Sequence, residues 1–382
     1  MHIGFITPEY PHPQIGNSGG LGTSLRNLVE GLRQKQIEIT VFVYQHETES
    51  VFEENGIRFH LIQNKSYGRF GWYFYRKHLM RYVNKVVKAE KIDLLEAPDW
   101  TGITAFMRFK VPLVVRFHGS DTYFCHLDNR PQKWKNRWFE RQALRPATAF
   151  VAPTHFAGTM SAELLGVNPD RIQVIHYGLD LSQFNNPAPE KFTSYRLLNI
   201  GTLIRKKGVF QLMEIFNQLV DKYPETELFL IGPDSKDVQT GSKSTWSLMQ
   251  ELLSVEAKKR VRYLGKVPYQ QVQDHIKNAH VCAFPSLAET LGMVTIESMA
   301  MKKAVVNTNM GWAQDLIDDG EDGFLVDPND IDHFSETVGR LFDDAQLTKN
   351  IGEAARIKTE RTFDMDKIVD QNIEFYRNVI GR

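Results

Sequence analysis

Short apolar runs alternate with amphipathic helical stretches along the whole chain, and the alternation starts afresh past the middle. That rhythm demands parallel sheets with helices on their faces, because parallel neighbours need a long, usually helical, crossover. The first series of strand candidates is His2–Thr7, Ile39–Tyr44, Ile57–Ile62, Ile92–Glu96, Leu113–Phe117, Thr148–Ala152 and Ile172–Ile175. The second is Leu197–Ile200, Glu227–Ile231, Arg262–Leu264, Val281–Phe284, Ala304–Asn307 and Phe324–Val326. Between them, Asn185-Asn186-Pro187-Ala188-Pro189 reads as a linker, with a hinge near 178–195. The 382 residues suffice for two domains of ordinary size. The expected class is α/β, with two doubly wound, Rossmann-like domains over residues 1–185 and 186–363. A helix over 364–382 is expected to cross back to the first domain. Ligands of such sheets bind beyond the carboxyl ends of the strands, so an interdomain cleft is the expected site.

Composition removes several functions. Lys+Arg 46 balance Asp+Glu 46, so no attachment to nucleic acid through bulk charge is expected. Cys125 and Cys282 alone make neither a zinc cluster nor a disulfide framework. Neither an export signal nor a spanning run is visible, and a cytoplasmic location is expected. Gly19-Gly20-Leu21-Gly22 lacks the G-x-G-x-x-G order, and Gly241-Ser242-Lys243-Ser244 lacks that of a P-loop. The G-x-S-x-G and H-E-x-x-H motifs do not occur. Asp364-Met365-Asp366 has the spacing of a metal site but follows a charged helical stretch, so Asp364 reads as a helix start and no metal is expected.

The most informative stretch runs from Pro285 to Ala300, directly after the strand Val281–Phe284. Thr290-Leu291-Gly292-Met293 is expected to open a helix whose apolar face is Ile296, Met299 and Ala300. Free amides at a helix start bind anions, and Gly292 lets a phosphate come close. Glu289 lies before that start, and Glu297 lies on the helix about two turns beyond Glu289. Carboxylates repel phosphate, so this pair is expected to accept hydrogen bonds from hydroxyls at the two ends of a diphosphate ligand. A nucleotide-sugar has that form, with hexose at one end and ribose at the other. The bland alternative is a surface carboxylate and a solvated helix glutamate. A second loop, Gly201-Thr202-Leu203-Ile204-Arg205-Lys206-Lys207-Gly208, carries cations suited to a diphosphate or merely to a solvated helix start. In the first half, Asn17-Ser18-Gly19-Gly20-Leu21-Gly22 opens a helix whose amides are further phosphate donors, or forms a plain glycine turn. Arg116-Phe117-His118-Gly119-Ser120-Asp121 puts a histidine at a strand end, where a site is favoured over a structural role.

Together these residues resemble the family 4 glycosyltransferases, retaining enzymes of the GT-B fold. The resemblance spans nearly the whole chain. It begins with Pro8-Glu9-Tyr10-Pro11 and Gly19-Gly20 and runs through His118-Gly119-x-Asp121, Gly201…Lys207-Gly208, Gly232, Gly265-Lys266-Val267 and Pro285-Ser286. The Glu289/Glu297 pair is its most specific element, and Gly323-Phe324-Leu325-Val326-Asp327-Pro328 closes it. The resemblance implies that Glu297 holds the ribose and Glu289 the donor sugar. It implies that the amides of Leu291, Gly292, Met293 and Val294 contact sugar and diphosphate, that Lys207 neutralises the leaving group, and that Val267 lies against the base. His118 is implied beside the donor sugar, in the acceptor half. No cofactor or metal is implied, only a nucleoside-diphosphate sugar, with uridine or guanosine first. The sequence departs from the family at Thr202, where an arginine is usual and Arg205 is the nearest substitute. It departs also at Met310-Gly311, at Asp315, and at Met301…Ala304. Asn17-Ser18 stands where glycogen and starch synthases carry a lysine, which argues against their activity.

With no second carboxylate marked as a nucleophile, front-face substitution is the expected route to retention. The competing class is a nucleotide-sugar 2-epimerase of the same architecture. The expected role is transfer to a glycan or lipid-linked acceptor in bacterial cell-envelope polysaccharide, lipopolysaccharide or glycoconjugate synthesis. Residues 65–88 hold seven Lys or Arg and no Asp or Glu, interleaved with Tyr67, Phe70, Trp72, Tyr73, Phe74, Tyr75 and Tyr82. Lys133, Trp134, Lys135, Arg137, Trp138, Phe139 and Arg141 form a second such stretch. Two readings stand: amphipathic helices with solvated cations, or peripheral docking on an anionic membrane such as the inner face of the plasma membrane.

Overall fold

Two parallel sheets organise the protein in a computed structural model that describes residues 1–16 and 18–381. Asn17, at the head of the glycine loop, lies outside the described residues. The first unit comprises residues 1–178 and 365–382, the second residues 179–364.

In the first unit the strands are β1 (His2–Thr7), β2 (Glu38–His46), β3 (Ser50–Glu54), β4 (Ile57–Gln63), β5 (Leu94–Pro98), β6 (Leu113–Arg116), β7 (Ala149–Ala152) and β8 (Ile172–Val174). Their order is β3-β4-β2-β1-β5-β6-β7-β8. β1 is central, with Phe5 opposite Val41 on one side and Glu96 on the other. All pairs are parallel except β3 with β4. β3 is the one strand the sequence reading lacks. It is a polar edge turned back through Asn55-Gly56, both with positive φ, a turn that suits a two-residue hairpin.

The second unit holds β9 (Arg196–Ile200), β10 (Glu227–Ile231), β11 (Val261–Gly265), β12 (Val281–Phe284), β13 (Ala304–Thr308) and β14 (Phe324–Val326). The order β11-β10-β9-β12-β13-β14 is wholly parallel. Chain order reverses between β9 and β12, so the connections after these two strands pass to opposite sides of the sheet and leave a crevice at the strands' carboxyl ends. Each strand expected from the sequence is present, with ends displaced by at most two residues.

The division differs from the expected one. Residues 179–185 belong to the second unit, and the Asn185–Pro189 stretch is no free linker. Phe184 and Asn186 are buried, and Asn186 donates to the Met301 carbonyl at 2.9 Å. The chain passes between units at Gly178/Leu179 and returns at Asp364/Met365. Helix Met365–Ile380 then buries Ile368, Val369, Ile373, Tyr376 and Val379 in the core of the first unit.

Candidate active site

The crevice of the second unit is built by backbone packing. Gly208 ends the loop after β9 with φ +65°, and a Cβ there would stand 1.7 Å from the Pro285 carbonyl oxygen, so only glycine lets this loop meet the one after β12. The Lys206 carbonyl accepts from the amides of Leu287 and Ala288, at 2.8 and 3.1 Å. Two loops 80 residues apart in sequence, at 206 and 286, are thereby fixed to each other. This fixes Lys207 beside Glu289, and their side chains form a hydrogen-bonded ion pair, both mostly shielded from water.

The helix expected from Thr290 begins at Met293 and ends at Ala300. Gly292 is its cap residue, at φ +98°, and no side chain caps the start. The amides of Met293 and Val294 therefore lie in the first turn, where donors outnumber intrahelical acceptors. Leu291 is anchored in the core, so its backbone alone can serve a ligand, while Met293 and Val294 are half-buried. Glu297 lies one turn inside the helix and is 8% exposed. Burial pushes its carboxyl up to about 7, against the opposing hydrogen bond from the Tyr269 hydroxyl at 2.8 Å. Tyr269 starts helix Tyr269–Asn278, just past the Gly265-Lys266-Val267 turn, and Val267 is half-buried there. The sequence reading overlooked Tyr269; its position two residues after Val267 was the available signal.

Arg205 stands differently from expectation. Its guanidinium forms a two-pronged pair with Asp237, at 3.1 and 2.9 Å, and lies over the Phe210 ring at 4.4 Å. The pair holds the Asp237 carboxyl well below the usual carboxylate range. Arg205 therefore brings no net charge to the loop. The reason is a partner 32 residues away that no local pattern discloses.

The remaining expected residues lie in the first unit. Gly19 and Gly20 do open helix Gly20–Gln34, but the amides of Gly19 and Gly22 already donate to the Glu9 carboxylate, at 3.0 and 2.9 Å. An internal carboxylate thus occupies the place where a phosphate was expected, as a helix N-terminus favours any anion. His118 follows β6. Its amide donates to Asp99 at 2.9 Å, and its Nδ1 pairs with the Tyr177 hydroxyl at 2.8 Å. Burial, with the Arg116 charge adding to it, drives the imidazole down to about 3, so it is neutral at physiological pH. Asp99 is buried with one carboxyl oxygen unpartnered, and burial raises it to about 7. Glu96, Arg116, His118 and Tyr177 line one cavity with Ser24 and Leu25 of the glycine-loop helix.

The model for Glycosyltransferase Family 4 matches residues 18–183, and that for Glycosyl transferases group 1 matches residues 183–358. The alpha-maltose-1-phosphate synthase of Mycolicibacterium smegmatis is 26% identical over 99% of this chain and 100% of its own length. The D-inositol 3-phosphate glycosyltransferase of Thermomonospora curvata is 24% identical, over 98% and 94%. Sucrose-phosphate synthase from Thermosynechococcus elongatus superposes with a TM-score of 0.80 at 18% identity, covering 100% of this chain and 99% of that one. Anabaena HepE in complex with UDP-glucose gives 0.76 at 20% identity, over 99% and 100%. The structural likenesses speak for the fold, and the two matched segments meet at residue 183 to span the chain from 18 to 358. The protein belongs to the family 4 glycosyltransferases and has their GT-B fold of two Rossmann-like domains.

Proposed function

We propose that this glycosyltransferase takes a hexose from a nucleoside-diphosphate sugar and passes it, with retained configuration, to a glycan or lipid-linked acceptor in cell-envelope glycoconjugate synthesis. One observation carries the reading: at the strand-order reversal of the second unit, an uncapped helix start stands between two carboxylates in different surroundings. Glu297 is deeply buried beside a hydroxyl donor, which suits the vicinal hydroxyls of ribose. Glu289 is paired with Lys207, which suits the junction of sugar and diphosphate. Donor binding exchanges that ion pair for two new contacts, Lys207 with the phosphates and Glu289 with sugar hydroxyls. The base lies along Val267, and the amides of Gly292, Met293 and Val294 meet the diphosphate. HepE, of the same fold, has been solved with UDP-glucose, which favours a uridine donor.

The anomeric C–O bond to phosphate breaks while the acceptor oxygen approaches from the same face. The departing phosphate oxygen takes the acceptor's proton. Lys207 and the helix amides stabilise the charge that develops on the leaving group, so no metal is required for this step. Arg205, held by Asp237, shapes the loop and contributes little charge. His118 is assigned to the first unit's acceptor side as a neutral hydrogen-bonding group.

Thermal melting against a panel of nucleotide-sugars identifies the donor, since a ligand that binds only the folded chain raises the midpoint. Transfer from that donor in excess EDTA, with the product's anomeric configuration read by NMR, then tests the reaction. Inverted product, or activity lost in EDTA and restored by Mg²⁺ or Mn²⁺, overturns the mechanism.

A further inference from the structure

Every exposed Phe or Trp among the described residues is gathered at one place in the first unit. They are Phe70, Trp72 and Phe74 at the start of helix Gly71–Glu90, Trp100 in the turn after β5, and Trp134 and Trp138 on helix Trp134–Leu144. Six large aromatics open to water are a costly arrangement for a surface with no partner. The three segments form one continuous surface. The Trp72 ring stands 4.9 Å from Phe139 and 6.5 Å from Trp138. Arg76 donates to the Gly102 carbonyl at 3.2 Å, and Gly102 abuts the Phe139 backbone.

The exposed charge beside these rings is mainly positive. Arg69, Lys133, Lys135 and Arg137 are exposed beside them. Arg69 lies over the Phe70 ring and Lys135 over the Trp134 ring, each at 5.8 Å. Of the nearby carboxylates, Glu140 is buried and accepts from the amides of Asp121 and Thr122, Asp99 is buried and accepts from His118, and the partly exposed Asp121 is engaged by Asn136 and Arg130. A solvated amphipathic helix buries its rings and shows its charges. This surface shows both.

We propose that the surface formed by Phe70, Trp72, Phe74, Trp134 and Trp138 with Arg69, Lys133, Lys135 and Arg137 docks the protein on an anionic lipid bilayer. Tryptophan and phenylalanine enter the interfacial layer while the cations meet headgroup phosphates. Stacking on a glycan would use the rings but would give the unopposed cations nothing to meet. Among the described residues no helix is long and apolar enough to cross a membrane, so the attachment is peripheral. Its position has a consequence. Helices Gly71–Glu90 and Trp134–Leu144 run back towards the amino ends of β5 and β7, so their starts lie at the carboxyl edge of the sheet, where Trp100 follows β5 and His118 follows β6. A lipid-borne acceptor would reach the protein at the edge that carries His118. This deepens the lipid-linked branch of the transfer reading and rests on it, but vesicle binding is read without any transfer.

The test is co-sedimentation of the whole chain with phosphatidylcholine vesicles, with and without phosphatidylglycerol. Binding is expected only with phosphatidylglycerol, together with a blue shift of tryptophan fluorescence. Phe70→Ser with Trp134→Ser removes two of the most exposed rings and should lower the partition coefficient roughly tenfold or more with the charges intact. Lys133→Glu with Lys135→Glu should do the same with the rings intact. Unchanged melting temperatures show that these surface variants fold. Absence of binding to phosphatidylglycerol vesicles overturns the proposal. So does wild-type binding by the serine variant, which would reduce the attraction to charge alone. Transfer to a soluble glycan by a protein that ignores vesicles sinks the docking and leaves the transfer reading standing. Vesicle binding by a protein that transfers nothing does the reverse.

Discussion

Two glutamates eight residues apart illustrate how position divides the work of one side chain. Glu297 is buried, and its carboxyl is pushed up to about 7 from an ordinary value of 4.5. The folded chain therefore holds that proton more tightly than the unfolded chain. The resulting stability is complete below the unfolded value and is lost as pH rises through about 7. Glu297→Gln cannot ionise and still accepts from Tyr269. It should stabilise the fold by about 1–3 kcal/mol near pH 9 and hardly at all near pH 4. The same change should weaken nucleoside diphosphate binding by roughly one to two powers of ten, because the ribose loses a charged acceptor. A gain in stability with a loss of binding marks a residue kept for function. Glu289→Gln should behave otherwise, lowering kcat without weakening diphosphate affinity, since Glu289 meets the part of the donor where charge develops and its loss leaves Lys207 free for the phosphates. Melting curves across pH, calorimetry with the diphosphate and steady-state rates decide the matter. Equal loss of diphosphate affinity in both variants would sink the division of roles.

At the scale of elements, what joins the site is a contact between two loop backbones. Gly208→Ala places a methyl group against the Pro285 carbonyl and leaves it no room. A cost of about 2–4 kcal/mol is expected, with kcat/KM falling because Lys207 shifts from Glu289. Gly241→Ala is the control: it has a similar positive φ, +77°, but open space around it, and should cost only about 1–2 kcal/mol. Equal costs would show that conformation, not the loop contact, governs Gly208. The strands that carry these loops were legible because apolar runs end at glycines and prolines. β3 was not, since Ser50-Val51-Phe52-Glu53-Glu54 is polar on an edge, though Asn55-Gly56 announced its turn. Glu289, Lys207 and Glu297 could be named from spacing within single loops. The partners that define their states could not: Lys207 with Glu289, Tyr269 with Glu297 and Arg205 with Asp237 are joined by sheet order, which local periodicity does not encode. Asn185–Pro189 misled for a related reason, because the buried Asn186 amide that fixes it finds its acceptor at Met301.

For the molecule as a whole, the consequential fact is that the first unit is closed by the end of the chain. Arg116 and Glu96 are each 4% exposed and form a two-pronged pair at 2.7 and 3.1 Å. Such a pair is tolerable in a core only if its remaining hydrogen-bonding capacity is met. Helix Met365–Ile380 meets it: Asn372 accepts from Arg116 at 2.6 Å, and the Tyr376 hydroxyl donates to Glu96 at 2.7 Å. The same helix lays Val369 against Gly31, where a Cβ would come within 2.5 Å. Tyr376→Phe deletes one hydroxyl and leaves the ring, so it should cost about 1–3 kcal/mol. Asn372→Leu strips the guanidinium of an acceptor and should cost at least as much. Ending the chain at residue 364 removes both partners and, with Ile368, Val369, Ile373, Tyr376 and Val379, five buried side chains of the first unit's core. At about 1.5–3 kcal/mol for each buried side chain, that loss is comparable with the roughly 5–15 kcal/mol by which domains are ordinarily stable, so the first unit should not fold without the helix. The second unit, whose main core cluster lies within residues 197–351, should keep its own transition. Calorimetry of the truncated chain should therefore show one transition at reduced enthalpy, with protease cutting confined to residues before 179. A truncated chain that melts like the whole one would mean that the first unit closes its core without its last helix.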